Sequence, residues 1–314
     1  MPKEKALYIG KRLLALIPTV WGCATLTFFL MKMTPGDPAV QALGPKATPQ
    51  ALDSLRQAWG LNDPLWKQYL RFLGDLCRGD LGTSYATKVP VVELIATRLP
   101  VTLIIMVLAA VFAVVIAIPL AVLVVATHSR IASGVVRVLN AICQGMPTFF
   151  VGAVLMQILC IQMGIFPIGN VSGQLEISAL ILPAFSVAIT ISPILIRSLI
   201  QSLGDSIESE YVNFAKSKGL SKKRVLIGYA LRNGSISAVS VLGIQIGFLV
   251  GGTLVVENVF AVPGIGQLLM DSVMKRDFPV VQSLTVVFGI LVVLVYLITD
   301  LVYGALDPRA EQRG

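Results

Sequence analysis

The polar groups best spaced to act together lie in one interval, Arg197 to Arg232, between two strongly apolar segments. Glu208 and Glu210 stand at its front, Lys216 and Lys218 follow, and Lys222, Lys223 and Arg224 come after Gly219. Covalent chemistry is not what this spacing offers. His128 is the only histidine, so neither a His-Glu-x-x-His zinc motif nor a Ser–His pair can form. There is no Gly-x-x-x-x-Gly-Lys-Ser/Thr phosphate loop, and Gly264-Ile-Gly266 lacks the spacing of a dinucleotide turn. Cys23, Cys77, Cys143 and Cys160 are too scattered for a Cys-x-x-Cys site or a disulfide framework. The chemistry left to the interval is recognition of a partner.

Charges of this order suit a short helix from about Ile207 to Lys218, with acids at its positive end, lysines at its negative end and Gly219 as a left-handed C-cap. Ser221 caps a second helix running to Arg232, on which Val225, Leu226, Tyr229 and Ala230 recur at helical spacing. Tyr211, Val212, Phe214 and Ala215 give the first helix more apolar surface than a solvated loop needs. Either a partner docks on them, or they pack internally on Val225 and Tyr229.

The elements that hold this interval are membrane spans. The chain has 314 residues, 55% of them hydrophobic and 13% charged, and its apolar residues come in blocks long enough to cross a bilayer. The expected architecture is all-α, with six spans near 13–31, 100–126, 139–163, 177–196, 236–256 and 280–301. A cytoplasmic N-terminus covers 1–12, an extracytoplasmic loop 32–99, a five-span core 100–303 with the polar loop at 197–235, and a cytoplasmic tail 304–314. Orientation follows Lys and Arg: seven basic residues lie in 197–232, whereas 164–176 has none. The net charge of +8 is thereby explained by topology, and nucleic acid is set aside as a partner. The first apolar run has no small-x-small site after it and is read as a retained span, not a cleaved signal.

Within the 32–99 loop, Thr48-Pro49 opens a helix ending at Gly60, and Asp63-Pro64 opens another ending before Gly79. Pro119, Pro147, Pro183 and Pro193 predict kinked spans. Gly243, Gly247 and Gly251, four residues apart, lay a small-residue face along the fifth span, for an internal neighbour or a second subunit. Near the bilayer centre the spans hold almost no ionisable group, which disfavours an ion-coupled secondary transporter and places the driving force outside the spans.

These residues resemble the permease subunits of ABC importers in the dipeptide, oligopeptide and nickel group. The likeness rests on Pro35-Gly36-Asp37-Pro38, Gly60-Leu61-Asn62-Asp63-Pro64-Leu65 and Gly79-Asp80-Leu81-Gly82-Thr83-Ser84. It continues in Glu210-Tyr211-Val212 with Ala215-Lys216-Ser217-Lys218-Gly219-Leu220-Ser221, Pro263-Gly264-Ile265-Gly266, Arg276-Asp277-Phe278-Pro279 and Leu306-Asp307-Pro308-Arg309. Lys216, Ser217 and Tyr229 depart from the Arg, Ala and His common in the family.

The resemblance implies a type I importer permease in a bacterial or archaeal inner membrane. It implies a second homologous permease, two ABC ATPase subunits carrying ATP and Mg, and an extracytoplasmic solute-binding protein, with no cofactor or metal in this chain. Glu210, Tyr211, Val212, Ala215, Lys216, Lys218 and Gly219 would couple it to an ATPase, and Glu257 and Asp277 would gate the outer end or contact the binding protein. The expected cargo is a di- or oligopeptide; nickel, a metal chelate or another peptide-like solute is the alternative. Replacing Gly219 with Val forbids the left-handed cap, so Gly219→Val is expected to abolish uptake while membrane insertion is unchanged. Normal uptake would overturn this assignment.

Overall fold

The structure, a computed structural model, describes residues 2–34, 36–44, 46–167 and 176–306. The expectations for Pro35, for most of the 164–176 loop and for the tail beyond Leu306 lie outside the described residues. The chain divides into two compact units, 1–102 with 263–293, and 103–262 with 294–314.

In the first unit, α1 (Pro2–Met33) carries an apolar window over Leu16–Met33 that leaves most of its surface uncovered. Asp37 starts the short α2 (Pro38–Leu43): its Oδ1 accepts the Ala39 N–H at 2.8 Å, and its Oδ2 accepts from Arg56 Nε at 2.7 Å. α3 (Pro49–Ala58) begins as the Thr48-Pro49 pair predicts, with Thr48 Oγ1 accepting the Ala51 N–H at 3.3 Å. α4 (Leu65–Cys77) corrects the expected Asp63 cap. Pro64 occupies the N-cap without a side-chain bond, and Asp63 instead accepts from Lys67 at 2.9 Å and from Arg71. Asp63 is thus drawn to cations one and two turns away rather than to the helix's first amides.

A core forms where Val91 and Ile95 of α5 (Val91–Thr127) meet Ile265 and Leu268 of α12 (Ile265–Met274) and Val280 and Leu284 of α13 (Phe278–Leu306). α12 was not expected in what reads as a loop, although Ile265, Leu268 and Ser272, buried at i, i+3 and i+7, give it one inward face. Its first amide is held by the polar group of a neighbouring helix: the Ile265 N–H donates to Thr102 Oγ1 at 3.0 Å. Asp277, only 2% exposed, sits between α12 and α13 and gathers the 84–86 turn. It accepts the Ser84 hydroxyl, the Tyr85 N–H at 2.9 Å and the Ala86 N–H at 3.2 Å. A cavity of about 450 Å³ opens among Phe28, Trp59, Arg71, Asp80, Tyr85 and Gln282.

The second unit holds the rest of α5 and α13 with the helices between. The expected single span over 139–163 is corrected: α6 (Arg130–Gly145) and α7 (Thr148–Leu155), the latter running on as a π-helical turn through Met156–Gln162, meet at a bend of 102°. The cause is local. A proline drives the preceding residue out of the α region, and Met146 before Pro147 has φ −90 and ψ 126. By contrast Pro183 and Pro193 lie inside the unbroken α8 (Ile177–Glu208), where Ser186, Thr190 and Ser192 donate their hydroxyls back to carbonyls of the same helix. His128 follows α5 as an exposed residue with φ 47.

α10 (Lys222–Val225), a π-helical turn over Leu226–Leu231 and α11 (Arg232–Val259) follow one another without an intervening loop. The expected second loop helix and fifth span are therefore joined, since nothing between Ser221 and Val259 breaks the backbone. Side chains added at Gly243 and Gly247 would strike Thr299 and Tyr296 of α13, so these two glycines serve close internal packing; a side chain at Gly251 would meet nothing within 4 Å.

Asp277→Ala would leave a buried hydroxyl and two turn amides without their acceptor, and a loss of about 2–4 kcal/mol in unfolding stability in detergent is expected. A loss no larger than that of Asp80→Ala would contradict the role given to this carboxylate. Tyr85 is pushed up to about 12, first by burial and then by the Asp277 charge, with Arg71 acting the other way. An unfolded phenol ionises near 10, so this contribution is complete below that pH and is lost as the pH climbs through about 12. Alkaline difference titration against Tyr85→Phe is expected to show one phenol that stays protonated at pH 11.

Candidate functional site

The polar interval folds into an arm between α8 and α11. At its root Arg197 donates to Gln144 Oε1 at 2.7 Å, and Ser202 Oγ donates to the Gly234 carbonyl at 2.9 Å. At Gly234 the helices approach closely: a Cβ would lie 3.2 Å from the Leu203 side chain and 3.4 Å from its backbone nitrogen. Leu199 and Leu203 are fully buried under this contact. The arm thus starts from a closely packed base.

α8 continues to Glu208, so Ile207 and Glu208 belong to the long helix rather than to the short one expected from about 207. Ser209, with φ −69 and ψ 152, turns the chain, and α9 (Glu210–Ser217) follows. The Ser209 hydroxyl donates back to the Ser206 carbonyl at 2.5 Å instead of capping α9. Glu210 occupies the first turn and Lys216 the last, as the helix dipole favours. Lys216 Nζ also donates to the Ile207 carbonyl at 3.2 Å, which bridges the break. Gly219 is left-handed at φ 77, and its N–H donates to the Lys216 carbonyl at 3.0 Å. A side chain there would meet nothing within 4 Å, so the constraint on Gly219 comes from the backbone alone. Ser221 then caps α10, accepting the Arg224 N–H at 3.4 Å.

The four apolar residues of α9 divide into two pairs. Val212 and Ala215 are buried against Val225, with Leu220 at the edge. Tyr211 is 41% exposed and Phe214 62% exposed on the adjoining face, where the Lys218 ammonium lies 4.5 Å from the Phe214 ring centre. Burial pushes the Tyr211 phenol up, but hydrogen bonds with Ser209, Ser206 and Asn233 outweigh it, and the net direction is down. Internal packing and an outward apolar face are both realised, on adjoining faces of one helix about 100° apart.

The geometry separates the remaining expected residues from this arm. Gly243 and Gly247 lie further along α11. Glu257 is wholly buried near the end of the same helix, and Asp277 is buried in the other unit under the 84–86 turn. Neither carboxylate offers a surface to a soluble protein in this conformation. Phe214 was expected within the apolar cluster of this helix but not among the residues that couple it to a partner, and the Arg197–Gln144 and Ser202–Gly234 bonds were not foreseen. The best signal for Phe214 was spacing, three residues after Tyr211. Among the described residues no group of three or more His, Cys, Asp or Glu gathers to hold a metal. What the arm can do is present a fixed apolar and basic face.

Residues 113–312 match the family described as "Binding-protein-dependent transport system inner membrane component", and residues 6–106 match its N-terminal counterpart, "Binding-prot-dependent transport system membrane comp, N-term". The chain is 37% identical over 315 residues to the oligopeptide transport system permease protein AppB of Bacillus subtilis (strain 168), with 98% of this chain and 99% of that one aligned. It is 34% identical over 307 residues to the glutathione transport system permease protein GsiC of Escherichia coli (strain K12), again over 98% and 99%. In fold it is similar to a chain of the MetNI methionine ABC transporter in an inward-facing conformation, with a TM-score of 0.57 and 18% identity, over 68% of this chain and 97% of that one. All-helical membrane architecture, apolar spans and an alignment running almost end to end agree: this chain belongs to the family of binding-protein-dependent transport system inner membrane components.

Proposed function

We propose that the chain forms half of the translocation pathway of an ATP-driven importer for di- or oligopeptides, and that α9 is its contact with an ATP-hydrolysing subunit. The observation that carries the reading is the outward pair Tyr211 and Phe214 on a helix whose inner pair, Val212 and Ala215, is locked to α10. An eight-residue helix is unstable by itself, so one that is braced from behind and apolar in front suits a groove in another protein. Lys216 and Lys218 border that face, with Glu210 at its start. Closing of the ATPase would press on α9, and the bridge from Lys216 to Ile207 together with the Val225 contact would pass the push to α8 and α11.

The partners of this reading are a second homologous permease, two ABC ATPase subunits that carry ATP and Mg, and a solute-binding protein on the far side. The bias of Lys and Arg supports both termini and the 197–235 arm facing the cytoplasm of a bacterial or archaeal cell. The peptide cargo is supported by the names of relatives aligned over nearly the full chain. Energy supplied from outside fits spans so poor in ionisable groups.

The test is co-purification of the chain expressed with its genomic neighbours. An ATPase subunit is expected with wild type, and at least tenfold less of it with a Tyr211→Asp, Phe214→Asp double variant that still inserts in the membrane. Undiminished capture would exclude α9 as the contact. Substituting Ala215 would not serve, because an acid at that buried position breaks the arm's own packing.

A further inference from the structure

α4 divides its circumference three ways. Gln68, Tyr69 and Phe72 face α1: Lys32 Nζ donates to Gln68 Oε1 at 2.5 Å, Tyr69 shares a 2.7 Å hydrogen bond with Thr25, and the Phe28 and Phe72 rings stack with centroids 5.8 Å apart. Lys67, Arg71 and Asp75, at i, i+4 and i+8, make a charged strip, and its two cations are both engaged by Asp63. The third side carries Trp66, Leu70, Leu73 and Cys77 at i, i+4, i+7 and i+11. Trp66 is 66% exposed, Leu70 is 58% exposed, and Cys77 is exposed at the end of the row.

The level of α4 along α1 says what covers that third side. Its partners Thr25, Phe28 and Lys32 all lie inside the apolar window Leu16–Met33. Thr25 is eight residues from Met33, about 12 Å along the helix axis, against roughly 15 Å for half of a bilayer's hydrocarbon core. If Met33 marks the edge of the hydrocarbon, a helix bonded at that level lies within the depth of the leaflet. α1 itself leaves Leu26, Phe29, Leu30 and Met33 exposed over the same stretch, as a span facing lipid does. An apolar row with a tryptophan, beside a charged row, is the composition of a helix lying at a membrane interface.

We propose that α4 lies in the bilayer leaflet that the C-terminal end of α1 crosses, with Trp66, Leu70 and Leu73 among the acyl chains and the Lys67, Arg71 and Asp63 charges at the headgroups. The occupant of the exposed apolar row is lipid, not a second protein. This inference depends on α1 being a span, and on neither the cargo nor the α9 partner.

The experiment uses the full chain reconstituted in vesicles of 3:1 phosphatidylcholine and phosphatidylglycerol. A nitroxide is attached at Leu70→Cys or at Lys67→Cys, with the four native cysteines replaced by Ala, and its relaxation by oxygen and by a water-soluble nickel chelate is compared. At position 70 oxygen is expected to dominate, with nickel accessibility at least threefold below that at 67. A second protein, with Cys23, Cys143 and Cys160 replaced and native Cys77 labelled, reads the same row with α4 itself unaltered; the lipid signature is expected there too. Nickel accessibility at 70 and 77 equal to that at 67 would place the row in water. Exclusion of both reagents would mean that a protein surface covers it. Either result overturns the proposal.

Discussion

The contact of Val212 and Ala215 with Val225 governs what the polar arm is able to do. An eight-residue helix joined to its neighbours by flexible loops would absorb any push by moving alone. Here one residue, Ser209, separates α9 from α8, and a buried apolar patch fixes α9 to the start of the rod that becomes α11. Interiors packed at native density shift as units rather than deform. On the proposed coupling role, a displacement of Tyr211 and Phe214 would become a displacement of α8 and α11, which meet again at Ser202 and Gly234.

Proline has opposite effects in two places. Pro183 and Pro193 are carried within α8, where side-chain hydroxyls turn back onto the helix. Pro147 instead lets the chain turn through 102°, with Met146 extended before it. Gly152, just past that corner, lies near Phe260, and its missing side chain lets the redirected helix come close to the end of α11.

Caps and dipole charges were legible in the sequence because their chemistry is local. Thr48, Ser221 and Gly219 do what their types and spacing predict, and the apolar blocks mark the spans. Asp63 misled because a carboxylate beside Pro64 matches a cap on paper, whereas Lys67 and Arg71 outbid the amides in space. The third span was expected to kink at Pro147, and it does; what its continuous apolar run hid is the size of the bend, 102°, which is a matter of backbone geometry at one dipeptide. On α9 all four apolar residues look alike in composition, and only the position of Val225 separates the two that pack from the two that face outward. Asp277 was the least legible, because its partners Tyr85 and Ala86 are 192 and 191 positions away.

The π-helical turn at Leu226–Leu231 sets a phase. Such a turn holds one residue more than an α-helical turn, so everything beyond it is rotated by about 100° relative to an uninterrupted helix. Gly243 and Gly247 look toward Thr299 and Tyr296 with that rotation in place. The distance between the arm and the glycine face is thus counted in residues, like teeth between two gears. Losing a single residue from within 226–231 would restore an ordinary α-helical turn and leave the face toward α13, whereas losing one between Arg232 and Gly243 would point it elsewhere.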